Sequence, residues 1–392
     1  MRGIPALLAL LAGGVLVATA GRGAGSAQLD ERVVRRRDIA FYAGRAARDP
    51  QGAADLAQLA GLVLQRGRET SDPRDFRLAE RTARRSLARR VGRNGKAYLT
   101  LASSLLAQHR FGEARVAAET LVARWPEPEA YRALLGEIQL ELGDYKAAGA
   151  TFAGLAGARK QLAVAPRLAR WAELSGRVEE ARRLLEDARA EAFRRRDLPR
   201  EQVAWFQLRM GDFELRHGRL GDAEHALRAG LTIVPGDPRL LAALARLEAA
   251  RGRWRAVIRY GVRAGAGADI ATLALVGDAH AALGDTAAAE AWYDRAERLA
   301  TERPEPFNRQ WSQFRLDHRR HVAETRTLLE REVRMRPDVY GWDLVAWARY
   351  LDGDVSGAAE AITRAQRLGT SDAILQRHAA LIARAQPPQG VR

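Results

Sequence analysis

A period of about 34 residues runs through most of this chain, and it constrains the fold more than any other feature. Gly143, Gly176, Gly218, Gly252 and Gly284 follow at intervals of 33, 42, 34 and 32, and Gly353 comes 69 residues later. Pro235 and Pro337 are 102 apart, three periods. Gly136, Gly211 and Gly277 each precede one of the first set by seven residues. The one long interval, 42, implies an insertion around residues 193–199, FRRRDLP. A unit of this size cannot bury an apolar face alone, so copies must stack on their neighbours.

Residues 269–298, DIATLALVGDAHAALGDTAAAEAWYDRAER, show the unit most clearly. Val276 and Gly277 sit midway along a first helix, Gly284-Asp285 turns, and Ala289, Tyr293 and Ala296 lie on one face of a second. Those spacings of four and three residues make the buried face of an amphipathic helix. Other units repeat it: Leu135-Gly136, Gly143-Asp144, then Ala148, Phe152 and Leu155; or Val345-Ala346, Gly353, then Ala358, Ile362 and Ala365. The second unit is expected to turn at Arg110-Phe111-Gly112, and an eighth keeps Leu329 and Pro337 but has no turn glycine. The expected organisation is an N-terminal helix at 28–53, a first array at 54–192, the insertion at 193–203, a second array at 204–370, and a capping helix with tail at 371–392.

The apolar residues are mainly Ala and Leu with few β-branched runs, which favours helix throughout, so the fold class is all-α. With no cysteine, disulfides, thiolate chemistry and cysteine metal sites are excluded. The net charge of +16 is nearly all arginine, since Lys96, Lys146 and Lys160 are the only lysines. Such a bias reflects a GC-rich bacterial genome as much as a function, and it suits attraction to anionic surfaces.

The first 27 residues read as a secretory signal peptide: Arg2, an apolar run from Ile4 to Ala20, and small residues at Ala18-Thr19-Ala20 or Gly25-Ser26-Ala27. An uncleaved anchor is the alternative, although Gly13-Gly14 breaks the run and it is short for a span of about 20 residues. Without cysteine there is no lipoprotein attachment site.

The period, the Leu-Gly or Leu-Ala pair of each first helix, the turn glycine, the Ala…Phe/Leu/Tyr…Ala triplet and the closing proline together resemble the tetratricopeptide repeat, over roughly residues 54–385. The resemblance implies a right-handed α-solenoid, a superhelix of about nine antiparallel helix pairs, with a concave groove lined by first helices. It further implies a protein or peptide partner in that groove. Groove-facing positions carried over from the register are Trp205, Leu208 and Asp212, Arg246, Ala274 and Asp278, Phe307, Phe314 and Asp317, and Tyr340, Asp343, Trp347 and Tyr350. The Lys/Asn two-carboxylate clamp known in this family has no counterpart here, because Asn94 and Asn308 are the only asparagines.

Other motifs are weaker. Asp317-His318-Arg319-Arg320-His321 spaces two histidines as a metal pair would, but no third ligand follows, and a solvated polar face is the expectation. Asp352-Gly353-Asp354 opens like a calcium loop but lacks its closing glutamate, Thr363 standing there, so it reads as a capped repeat turn. Arg81, Arg84, Arg85, Arg89, Arg90 and Arg93 form one basic patch and residues 194–196 another; either could meet anionic polymer or a membrane surface. No aromatic interleaving there supports nucleic acid. Nucleotide-binding, metalloprotease and nucleophile-elbow motifs are all missing from the sequence, and no cofactor is implied. The sequence therefore predicts a non-catalytic, exported envelope scaffold, with an arginine-patch module for anionic surfaces as the second reading.

Overall fold

The computed structural model describes residues 31–302 and 308–386. The segment expected as a signal peptide lies outside them, as does Phe307. Helix α1 (Glu31–Arg48) is followed by nine antiparallel pairs. These are α2 (Ala53–Thr70) with α3 (Pro73–Arg89), α4 (Gly95–Ala107) with α5 (Phe111–Arg124), and α6 (Glu129–Glu141) with α7 (Tyr145–Ala153). Next come α8 (Ala165–Leu174) with α9 (Val178–Arg194), α10 (Arg200–Arg216) with α11 (Leu220–Ile233), and α12 (Pro238–Ala250) with α13 (Trp254–Ala264). The last are α14 (Ile270–Ala282) with α15 (Thr286–Glu302), α16 (Arg309–Asp317) with α17 (Val322–Met335), and α18 (Val339–Leu351) with α19 (Val355–Ala365), before a closing α20 (Ala373–Ala385). No strand occurs among the described residues, and no helix there is long and apolar enough to cross a membrane. The fold is the right-handed tetratricopeptide-type α-solenoid.

Small residues midway along the first helices receive a side chain 16 positions later. A β-carbon on Gly136 would stand 2.7 Å from the Phe152 ring, and one on Gly211 2.5 Å from Leu227; Gly277 is covered in the same way by Tyr293. Each turn contains a residue with positive φ, and the turn between α16 and α17 contains two, Arg319 and His321. In seven-residue register with the mid-helix glycines, Gly143 and Gly284 have φ of 73° and 86°. Where glycine is missing, Ser71, His109 and Arg319 adopt the same conformation, at 57°, 57° and 51°. The second unit thus turns at His109 rather than at residues 110–112, and Phe111 instead begins α5, buried. The aspartate after several turn glycines caps the second helix. Asp144, Asp285 and Asp354 accept the backbone N–H three residues on, at 3.2, 3.0 and 2.8 Å. Residues 352–357 are accordingly a capped turn. The long interval arises because α9 and α10 each run for 17 residues around a short 195–199 linker.

First helices pack on first helices of adjacent units, α8 and α10 excepted, forming an inner layer of α2, α4 and their successors through α20. Superhelical winding then brings distant units together. Tyr145 accepts a hydrogen bond from the Val339 N–H at 2.7 Å, and Thr370 donates to the Leu174 carbonyl at 2.6 Å. The buried Arg336 guanidinium pairs with Glu141 and lies 4.2 Å from the Phe111 ring centroid. One core cluster includes Tyr145, Phe152 and Leu174 alongside Leu316, Val339, Leu344 and Leu375. At the other end the Glu31 carboxylate accepts from the first N–H of α10, at 3.2 and 2.9 Å. The solenoid therefore closes on itself, with α6–α8 seated against the last repeats.

Candidate functional site

The inner layer carries the groove residues expected from the register. On α10, Glu201, Trp205, Arg209, Asp212 and Arg216 recur at steps of four, four, three and four, one stripe of the helix. Glu201 is buried; it accepts from Gln65 of α2 at 3.0 Å and pairs with Arg239 of α12 at 2.8 Å. Asp212 pairs with Arg246 at 2.8 Å. Arg216 reaches Glu173 of α8 at 2.8 Å, and Glu173 also holds Arg170, whose guanidinium lies 5.2 Å from the Tyr340 ring centroid across the closure. Burial alone would raise the Glu173 pKa, but Arg216 and Arg170 overcome it and hold the carboxyl at about 2. Trp205 is half-buried, edge-on to Phe206 at 5.0 Å.

In the later units the same inner positions link one repeat to the next. Asp278 accepts from the Tyr293 hydroxyl at 2.8 Å and meets His318 Nε2 at 2.8 Å. Asp317 accepts from Trp347 Nε1 at 3.3 Å. The Trp347 ring stacks on His378 at 4.4 Å and on Tyr350 at 5.3 Å. Asp343 and His378 form a buried pair at 3.0 Å.

Some expected groove residues are therefore core. Phe314 is 3% exposed, packed against Trp311, Tyr293 and His318, and Asp343 is 4% exposed. Leu208 and Ala274 are buried too. The cause is shared: inner helices contact neighbours on both flanks, so only the middle of the face stays open. The 317–321 segment is not a uniformly solvated face, because the His318 ring is wedged between Tyr293 and Phe314 while His321 is exposed.

The sequence reading missed Arg68 and Arg209. Arg68 follows Gln65 by three residues on α2 and is exposed; Arg209 occupies the middle of the α10 stripe. The five-residue stripe from Glu201 to Arg216 was the signal that could have found Arg209. Neither guanidinium has an acidic partner among the described residues. Desolvation lowers the pKa of Arg209, reinforced by Arg216 and Arg170.

The basic patch lies on the outer helix α3. Arg81, Arg84, Arg85, Arg89 and Arg90 are exposed, and of these Arg84 is tied to Glu80 at 2.9 Å and Glu113 at 3.3 Å. At the insertion, Arg194 pairs with Glu191 at 2.7 Å and Arg195 bonds Asp197 at 2.6 Å, so that patch is mostly neutralised.

No family model matches the chain, and no curated protein matches it. Solved structures do. The human IFIT1 dimer with m7Gppp-AAAA superposes with a TM-score of 0.54 at 14% identity, over 81% of this chain and 72% of that one. The Cut9–Hcn1 hetero-tetramer of the APC/C gives 0.49 at 13% identity, and Pseudomonas aeruginosa PilF 0.42 at 17%. The match covers 88% of this chain but 59% of the Cut9–Hcn1 chain, and 57% of this chain against 97% of PilF. At these identities the likeness is one of fold.

Proposed function

We propose that this protein is a non-catalytic scaffold that holds a protein or peptide partner along its inner helices, exported to the bacterial cell envelope. The observation that carries the proposal is the make-up of the inner layer: fixed aromatic rings at Trp205, Tyr340, Trp347 and Tyr350 stand beside charges on a curved wall. Such surfaces suit extended peptides and partner helices. The fold supports binding in general, and the envelope setting rests on the pattern of residues 1–27.

The α3 stripe favours a second reading. Arg77, Arg81, Arg85 and Arg89 lie four residues apart on one exposed face. Like charges at that spacing repel, and an anionic polymer or membrane surface would relieve them.

The full chain, immobilised and exposed to envelope extract, tests both readings. A variant with Trp347→Ala and Tyr350→Ala is run beside one with Arg81→Gln, Arg85→Gln and Arg89→Gln. A specific protein lost with the first and kept by the second supports the scaffold. Salt-labile polymer or lipid alone, lost only with the second, overturns it.

A further inference from the structure

The insertion that breaks the repeat period lengthens α9 to 17 residues, against 9 in α7 and 14 in α11, the outer helices of the adjoining units. Its last turn carries Phe193, which is 70% exposed, more than any other large apolar side chain among the described residues. Beside that ring a cavity of about 420 Å³ opens between α9 and α11. Arg189 and Phe193, four residues apart on α9, form one wall with Ala190. His225 and Ala229, four apart on α11, form the other, and Gln207 of α10 lies between them. Two of these groups lack a partner. The Gln207 side chain is 7% exposed, and its Oε1 accepts no hydrogen bond. The Arg189 guanidinium is half-buried with no acidic partner among the described residues, whereas Arg194 on the rim is held by Glu191 at 2.7 Å.

We propose that this cavity binds a small aromatic carboxylate that carries a ring N–H or hydroxyl donor. The carboxylate meets Arg189, the ring covers Phe193, and the donor reaches Gln207 Oε1. Each assignment answers a separate deficit. A buried amide oxygen without a donor costs stability that a ligand N–H or O–H returns. A half-buried guanidinium beside an apolar wall holds a carboxylate through paired N–H groups, more strongly than it would in open water. A ring packed on Phe193 takes apolar surface of both out of water. The volume falls within the roughly 300–1,000 Å³ of small-molecule sites, whose usual make-up is an apolar lining with a few placed polar groups. One unpaired cation fits a monocarboxylate, whereas a nucleic acid would bring a phosphate at every step. The site lies on the outer face, between second helices, and does not depend on what the inner helices hold.

The test is a calorimetric titration of the full chain with indole-3-propionate. The comparators are indole-3-propionamide, which has no charge, 1-methylindole-3-propionate, which has no donor, and hexanoate, which has no ring. Indole-3-propionate saturates one site, and each comparator binds about tenfold more weakly or worse. Arg189→Gln, Phe193→Ala and Gln207→Leu each weaken the parent acid by about the same factor. Arg189→Gln no longer separates acid from amide, and Arg81→Gln with Arg85→Gln leaves binding unchanged. Gln207→Leu unfolds at or above the wild-type temperature, because it removes a buried acceptor that nothing satisfies. The proposal is overturned if the wild type does not bind the acid, if any comparator binds as tightly, or if the three variants bind as the wild type does. It is overturned too if Gln207→Leu unfolds earlier, which would make the carboxamide structural. Tighter binding of a tripeptide ending in tryptophan, lost with the same variants, overturns the small-molecule class.

Discussion

His318 shows how much one inner position can carry. Its Nδ1 faces the Phe314 carbonyl at 2.8 Å and its Nε2 faces the Asp278 carboxylate at 2.8 Å. Both neighbours are acceptors, so both ring nitrogens are satisfied as donors only in the imidazolium. Burial lowers the His318 pKa, but the hydrogen bonds it donates to Asp278 and Phe314 outweigh that and the net shift is upward from the ordinary imidazole value. Glu290, Arg320, Asp317 and the Tyr293 hydroxyl also face this cluster. A raised folded-state value means the contribution is full below the ordinary pKa and disappears as pH rises through the raised one. The melting temperature of the wild type should therefore exceed that of His318→Gln most at pH 5.5 to 6, with the gap shrinking toward pH 8.5. A gap that stays constant or widens with pH would contradict the imidazolium assignment.

At the scale of the helix pair, the turns separate what the sequence made legible from what it hid. The glycine period located six of the turns, because glycine tolerates positive φ without strain. It passed over His109 and Arg319, although they lie 34 residues before Gly143 and before Gly353. The period is a property of the backbone, and residue identity reports it only where glycine was selected. Phe314 was misplaced for a related reason. The register puts it on an inner helix, but whether an inner residue is open depends on what the neighbouring helix sends across, here Tyr293 of α15, and on the Trp311 ring stacked beside it on α16 itself. The charged stripe of α10 was readable, yet the pairing that singles out Arg209 comes from three other helices. The strain at Arg319 is measurable. Arg319 is exposed and holds φ at 51°, so Arg319→Gly should raise stability by roughly 0.5–1 kcal/mol, the left-handed penalty less the added freedom of the unfolded chain. Chemical denaturation checks it, and a loss of stability would mean that the turn is not strained.

Over the whole molecule, closure is what the repeat pattern could not reveal, because it depends on curvature summed over many units and on residues outside the period. Arg336, Tyr145 and Thr370 make contacts nearly 200 positions away in sequence, at |i−j| of 195, 194 and 196. Gly143 has a second role there. Its φ is 73°, and a β-carbon on it would stand 2.7 Å from both the Pro337 carbonyl carbon and the Asp338 nitrogen. Those are backbone atoms, and Asp338 is fixed by paired bonds to Arg309 at 2.8 and 2.6 Å, so they cannot rotate aside. Gly218 has the same φ of 73° with nothing within 4 Å of the added carbon. Gly143→Ala and Gly218→Ala thus share the local strain, about 1–2 kcal/mol, and differ in the clash. Both should keep their helical circular dichroism. Gly143→Ala alone should show a larger radius of gyration in solution scattering, faster proteolysis near residue 337 and a further loss of thermal stability, because separating the two arrays uncovers Tyr145 and the buried Arg336. Equal scattering and equal stability for the two variants would mean that contact at Gly143 does not hold the superhelix closed.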